Sequence, residues 1–439
     1  MQATRAQPRR TLAAWAMFDW ANSAFATLVV TFVYATYFTT AIAADEVTGT
    51  AQWSRAVGLS GVLVAVLAPP LGALADRSGR RLTCLGMCTL VCCVASAGLT
   101  GVHPDWVWAG LIALSLFVVA NVAFELSTVF YNAFLPELVP AERVGRLSGW
   151  AWGLGYAGGL LSLVLALVVL AREQPLFGIS TEAGFNYRAV CLLAAGWFAL
   201  FSLPLFVFAP RRPSRGGSAS PRMGAYRELR HTFGRLRHYP DITRLLAARL
   251  LYNDGLITIF AFGGIYAAGT FGMSLPEVIQ FGIALNVAAG IGAGVFGVVD
   301  DRLGGKRTIL VTLVALTVFS LLAVWAPSVG WLWLAGLSLG LFVGPNQSAS
   351  RTLMSRFVPE QHAAAFFGLF AFSGKITTFA GPLLLGIVTQ ATGSQRLGVA
   401  TVVGFFVLGG LLLLTVDERR GIETGRQADP PGDAAADRT

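Results

Sequence analysis

The sequence is short of charge. Only 13% of its 439 residues are Asp, Glu, Lys or Arg, while 55% are hydrophobic and the mean hydropathy is +0.65. A soluble domain uses about a quarter charged residues to cover its surface. Half that supply leaves an apolar exterior, which only lipid tolerates. Histidine is scarce as well. The four His (His103, His231, His238 and His362) are scattered near loops, which leaves no His-rich or Cys–His cluster at membrane depth and argues against a membrane enzyme. The five Cys lie inside apolar blocks, where an outer-loop disulfide has no place. Cys84, Cys88 and Cys92 share one helical face, but no acid or His is near them in sequence, so they read as packing residues, not as a metal site. A Gly-x-x-x-x-Gly-Lys-Ser/Thr loop is missing, so direct drive by ATP has no seat in this chain. No cofactor is implied.

What is present is a series of apolar blocks of roughly 20 residues, the length that crosses a hydrocarbon core about 30 Å thick. Spans are expected near 13–42, 53–75, 82–100, 106–129, 147–170, 188–209, 243–268, 277–299, 308–326, 331–353, 363–389 and 397–416. Helix is the natural choice, because lipid offers no partner to an unpaired backbone N–H or C=O. The first block is too long for a signal peptide and contains Asp19 and Asn22, so it reads as a retained span.

The net charge of +9 does not point to nucleic acid, because 30 of the 32 basic residues are Arg and most fall in alternate loops. The loops at 43–52, 101–105, 171–187 and 390–396 are acidic or nearly neutral. The opposite set carries Arg77, Arg80, Arg81, Arg143, Arg146, Arg302, Lys306 and Arg307, with eight more Arg in 210–242. This asymmetry puts both termini in the cytoplasm.

The expected organisation is a short tail (1–12), a six-helix bundle (13–209), a basic linker (210–242), a second six-helix bundle (243–416) and a polar tail (417–439). Within the linker, Tyr226, Leu229, Phe233 and Leu236 recur at helical spacing, so an amphipathic helix on the inner leaflet competes with a disordered linker. The tail lacks apolar periodicity and is expected to be disordered.

Two landmarks recur. After span 2 the chain reads Gly72, then Asp76-Arg77, Gly79 and Arg80-Arg81; after span 8 it reads Gly297, then Asp301-Arg302, Gly304 and Lys306-Arg307. The copies are 225 residues apart and share one spacing, which is hard to obtain by accident. In each, the first Gly permits close helix approach, the Asp suits a facing helix terminus, and the second Gly suits a tight turn. These residues form a candidate conformational gate. The second landmark sets Val139, Pro140 and Gly149 against Val358, Pro359 and Gly368, at an offset of 219. The fold class is therefore all-α: twelve transmembrane helices in two pseudo-symmetric six-helix bundles.

The Gly-x-x-x-Asp-Arg-x-Gly-Arg-Arg loop and its partial second copy resemble the signature of the major facilitator superfamily. More specifically, Phe18-Asp19-Trp20-Ala21-Asn22-Ser23-Ala24-Phe25 and Tyr131-Asn132-Ala133-Phe134-Leu135-Pro136-Glu137-Leu138 resemble the autophagy-related vacuolar amino-acid effluxers and their bacterial relatives. That resemblance implies alternating access between two halves and favours an amino acid as solute.

Ionisable residues at membrane depth usually face a cavity or a partner. Asp19, Glu125, Asp254 and Lys375 are such residues. At 1.5 Å per residue, Asp254 and Lys375 reach similar depth near the midplane, and an ion pair between them is the sharpest expectation. Asp19 with Asn22, and Asn121 with Glu125, lie on shared helical faces and suggest a polar network on the wall of the N-terminal half. For Glu125, a structural contact to Arg77 or Arg81 competes. Asn253, Asn346 and Gln347 complete the candidates for a solute or coupling-ion site, with helix–helix hydrogen bonding as the plain alternative. Tyr131 and Asn132 are expected near the surface, ordering the following loop.

The reading is a secondary transporter of a small polar solute in a bacterial plasma membrane, monomeric, with proton or sodium as co-substrate. An exporter of hydrophobic or cationic drug-like compounds is the first alternative, disfavoured if Lys375 faces the cavity. A nontransporting receptor or scaffold is the second.

Overall fold

The computed structural model describes residues 7–210, 234 and 236–427. Twelve helices in it are long and apolar enough to cross a membrane. They are α1 (Arg9–Ile42), α2 (Glu46–Ser78), α3 (Arg81–Thr100), α4 (Ala109–Leu138), α5 (Ala141–Val169), α6 (Glu182–Phe208), α7 (Pro240–Phe271), α8 (Pro276–Leu303), α9 (Gly305–Trp325), α10 (Val329–Phe357), α11 (Glu360–Thr392) and α12 (Gln395–Leu414). Leu, Val, Ile and Phe on their outer surfaces are widely exposed, among them Leu90, Val94, Leu200, Val314 and Leu411. That is the pattern of helices whose solvent is hydrocarbon.

Two helices are irregular. α1 widens into π-helix over Phe25–Phe32 and Phe38–Ile42. α11 is regular helix over Ala363–Lys375 and again over Ala380–Thr392, with an irregular turn between.

The six N-terminal and six C-terminal helices meet along α2–α11 and α5–α8. Small residues make this possible. A Cβ on Gly72 would collide with the Ala364 carbonyl, and one on Gly368 with the Ala68 carbonyl. Gly149 lies equally close to Ala293 and Gly297. These close approaches sit toward the face that carries the Arg-rich loops, termed here the basic face. Farther out, Ala380–Thr392 of α11 packs on α7 and α12 of its own half, and the outer part of α1 packs on α2, α5 and α6 of its own. The halves are thus joined at the basic face and separate toward the other.

Two expectations need comment. The stretch 211–233, where an amphipathic helix is expected, lies outside the described residues. The segment 417–439 is expected to be disordered; 428–439 lie outside the described residues, and Glu418–Arg426 instead forms a helix, α13. Polar contacts hold it, which is why apolar periodicity gave no sign of it. Arg420 donates to Asp241 at 2.6 and 2.7 Å. Glu418 accepts from Gly305 N and Lys306 N at 2.9 and 3.1 Å, capping α9. Gly421 and Gly425 let the helix lie against Phe357.

A methyl group is enough to test the α2–α11 contact. Gly72→Ala and Gly368→Ala should each lower the melting temperature in detergent, with an overpacking cost of about 1–3 kcal/mol. Gly386→Ala, where a Cβ meets open space, should leave it unchanged.

Candidate functional site

The candidate gate residues assemble where the halves touch. Asp76 accepts from Ala364 N at 3.1 Å and Ala365 N at 2.8 Å, so it caps the first turn of α11 from the opposite half. Arg81 holds that carboxylate through Nε at 2.6 Å, pairs with Glu137 at 2.5 Å and donates to the Glu360 carbonyl across the interface at 2.5 Å. The second copy has similar geometry: Asp301 accepts from Arg146 N at 3.2 Å, in the first turn of α5. Arg356 pairs with Asp300 at 2.8 Å and donates to the Ala141 carbonyl at 3.1 Å. Gly79 takes a φ of +64° and Gly304 a φ of +89°, both in the region that favours glycine. Arg77, Arg80 and Arg302 are exposed at the basic face.

Deeper in, the centre of the interface is a residue that sequence reasoning passed over. Arg351 of α10 is only 1% exposed. Its Nη1 pairs with Asp19 Oδ2 at 2.9 Å and approaches Asn132 Oδ1 at 3.5 Å. Its Nε donates to Ser148 Oγ at 2.9 Å and its Nη2 to the Ser148 carbonyl at 2.8 Å. The guanidinium lies 4.7 Å from the Trp152 ring, 5.1 Å from Trp15 and 5.8 Å from Tyr131. Aromatic faces and oxygen acceptors together replace the hydration this cation has lost. Tyr131 is buried here and stacks on Trp15 at 4.5 Å. It therefore orders the Arg351 surroundings, not a surface loop.

Elsewhere on the seam, Lys375 Nζ donates to Glu125 Oε1 at 2.6 Å, joining α11 to α4. The expected Asp254–Lys375 pair is replaced by this one, and Glu125 holds Lys375 instead of Arg77 or Arg81. Counting residues gave the depth of each group but not its direction around the helix. Lys375 points across the interface, whereas Asp254 faces the irregular turn of α11 at Thr377 and Gly381. The Lys375 and Glu125 side chains are 30% and 19% exposed, far more open than Arg351. They border the space between the halves.

Arg249 of α7, also missed, stands close to that pair. Its Nη1 donates to the Phe370 carbonyl at 2.8 Å and Ser373 Oγ at 3.1 Å, and its Cζ lies 3.7 Å from the Phe370 ring centre. The Glu125 carboxylate is near enough to act on it electrostatically. Arg249 and Arg351 both fall within the expected spans. The depth rule that singled out Asp19 applies to them equally.

The remaining candidates are dispersed. Asn253 donates to the Gly374 carbonyl at 3.1 Å and Asn346 to Thr312 Oγ1 at 2.9 Å, so both tie helices together within the C-terminal half. Asn22 and Asn121 are buried in the N-terminal half, and Gln347 is half-buried on α10. A small apolar cavity of about 50 Å³, bordered by Thr258, Phe262, Tyr266, Phe281 and Leu385, lies within the C-terminal half, and none of the cross-half charges lines it.

The duplicated loops, the thinly charged twelve-helix shell and the charged seam between the two halves belong to one arrangement. The family profile described as "Vacuole effluxer Atg22 like" matches residues 41–426. The chain belongs to this family. It is an integral membrane transporter of the major facilitator type. Among its relatives, the "Uncharacterized MFS-type transporter YxiO" of Bacillus subtilis is 26% identical over 417 residues, covering 94% of this chain and 96% of that one. Autophagy-related protein 22-1 of Neosartorya fischeri is 27% identical over 303 residues, 63% of this chain and 48% of that one. This chain thus aligns with about half the length of the fungal protein. In fold it is similar to the human organic anion transporter MFSD10 (TM-score 0.71, 18% identity, 93% of this chain and 100% of that one). The proton:xylose symporter XylE is also similar (TM-score 0.72, 14% identity, 94% and 96% covered).

The Asp19–Arg351 pair is open to a double-mutant test. Arg351→Gln should destabilise the full chain by about 3–5 kcal/mol by stranding the Asp19 charge. Adding Asp19→Asn should recover a large part of that loss in thermal unfolding.

Proposed function

We propose that this chain is a secondary active transporter of a small polar organic solute, with an amino acid as the favoured class. It works by alternating access in a bacterial plasma membrane, coupled to a cation gradient. The basic face is cytoplasmic in this reading, and the described state is closed toward the cytoplasm. The observation that carries it is the Glu125–Lys375 bridge: opposite charges from opposite halves, bonded at 2.6 Å and partly open to the space between them.

A zwitterion can exchange into such a bridge. Its carboxylate takes the Lys375 ammonium, helped by the nearby Arg249, and its ammonium takes Glu125. The cross-half bond is then carried through the solute, and the two halves are freer to move relative to each other. Opening the cytoplasmic side requires Asp76 to leave the start of α11 and Asp301 to leave the start of α5, and the small-residue contacts between α2 and α11 must part. Two basic side chains near the space argue against an exporter of cations, since a cationic cargo would be repelled there. The family profile, described as a vacuole effluxer, supports a transport role, and the amino-acid class comes from the resemblance of the Asp19 and Tyr131 stretches.

Uptake and counterflow in proteoliposomes, across amino acids, peptides, sugars, organic anions and cationic dyes, tests the proposal. One zwitterionic class should exchange. Glu125→Gln and Lys375→Met should each lower its counterflow about tenfold or more, because a hydrogen bond to a charged group contributes about 1.5–3 kcal/mol. Absence of flux over the whole panel would overturn the reading, and exchange of cationic dyes alone would favour the exporter.

A further inference from the structure

Almost every acid within the spans has a counter-charge or a helix terminus. Asp19 has Arg351, Glu125 has Lys375, Glu137 has Arg81, and Asp300 has Arg356. Asp76 and Asp301 accept from backbone N–H groups at the starts of α11 and α5. Asp254 is different. It is 1% exposed, and its Oδ1 has no hydrogen-bond partner among the described residues.

Its surroundings contain dipoles but no counter-charge. It faces the interruption of α11, where the Thr377 hydroxyl and the Gly381 N–H are the neutral donors that bear on it. Gly381 packs directly on Thr258 and on the Asp254 carbonyl, so the restart of α11 is seated on this turn of α7. The helices packed on α7 supply no bonded cation. α12 has no ionisable residue from Leu397 to Leu414, and the Ala380–Thr392 part of α11 has none. α8 has none from Val278 to Val299. Lys375 of α11 is held by Glu125, and Arg351 and Arg356 of α10 by Asp19 and Asp300. On α7 itself, Arg249 is bonded to α11, and Tyr252 to Ser350 at 2.8 Å.

An ionised carboxylate buried without a counter-charge is costly, and such a group survives by becoming neutral. The geometry points to Asp254 as the proton-binding site of the transport cycle, carrying a proton in this cytoplasm-closed state. The assignment rests on the transport reading above and deepens it by naming the coupling ion. The carboxyl takes a proton from water on the outer side. It releases that proton to cytoplasmic water when α7 and the two parts of α11 shift and open the site inward, so one O–H bond forms and the same bond breaks in each cycle. The interrupted helix supplies the movable part, since its turn has fewer backbone bonds to break than a continuous helix. Sodium is the competing ion, and the gradient measurement below separates the two.

Two measurements on the full chain separate this assignment from the transport reading. Infrared difference spectra in lipid nanodiscs, recorded as pH is raised, should show loss of a protonated-carboxyl C=O band. Asp254→Asn should abolish that band, and Asp254→Glu should restore a shifted one. A band unchanged in Asp254→Asn would overturn the assignment even if no solute were known. With a solute that exchanges, one imposed pH unit supports up to about tenfold accumulation for one coupled proton. In Asp254→Asn the ratio of accumulation to counterflow should fall about tenfold. Accumulation that still follows the pH gradient in that variant, or follows a sodium gradient in the native chain, would also overturn it. A native chain that neither accumulates nor exchanges any solute would remove the transport reading, while the infrared result would still decide the state of Asp254.

Discussion

Arg351 can stay charged inside the interface only because two halves of the chain surround it at once. Asp19 and the Trp15 and Tyr131 rings come from the N-terminal half, as do both Ser148 acceptors, while the Arg itself belongs to α10. When the halves part, this guanidinium must find water or new acceptors, so closure at the basic face has a strong electrostatic reason. The other cross-half contacts depend on that closure. Helix termini reach Asp76 and Asp301 only when α2 and α5 lie within glycine distance of α11 and α8.

The two stretches that carried the family resemblance gain a physical meaning from this arrangement. Asp19 lies in the first and Tyr131 with Asn132 in the second, and they converge on one Arg. Glu137, at the end of the second stretch, anchors Arg81 of the gate loop. Motifs more than a hundred residues apart thus serve one seam. The seam is also graded. Arg351 is sealed, whereas Glu125–Lys375 is partly open, and an open ion pair can be exchanged for a solute at lower desolvation cost than a sealed one. α1 and α7 each carry one deep Asp. One is neutralised across the interface and the other is left beside an interrupted helix.

Much of the fold was legible because lipid imposes a length and forbids open backbone. Those constraints act on every stretch of chain separately, so apolar blocks and Arg-rich loops reported them directly. The duplicated loops were legible for a different reason: their duplication repeats a spacing, and spacing survives in sequence. The C-terminal helix was not legible, because caps and charges at Asp241, Gly305 and Lys306 hold it in place of an apolar face.

By itself the sequence determined that this chain crosses the membrane about twelve times in two related halves, and which of its charges lie deep. Only the tertiary structure decided which charges meet. Depth follows from counting along one helix, but partnership depends on the direction each side chain takes around its helix and on which helix of the other half faces it. That is why counting along the helices pairs Lys375 with Asp254, whereas the structure bonds Lys375 to Glu125 and leaves Asp254 without a counter-charge.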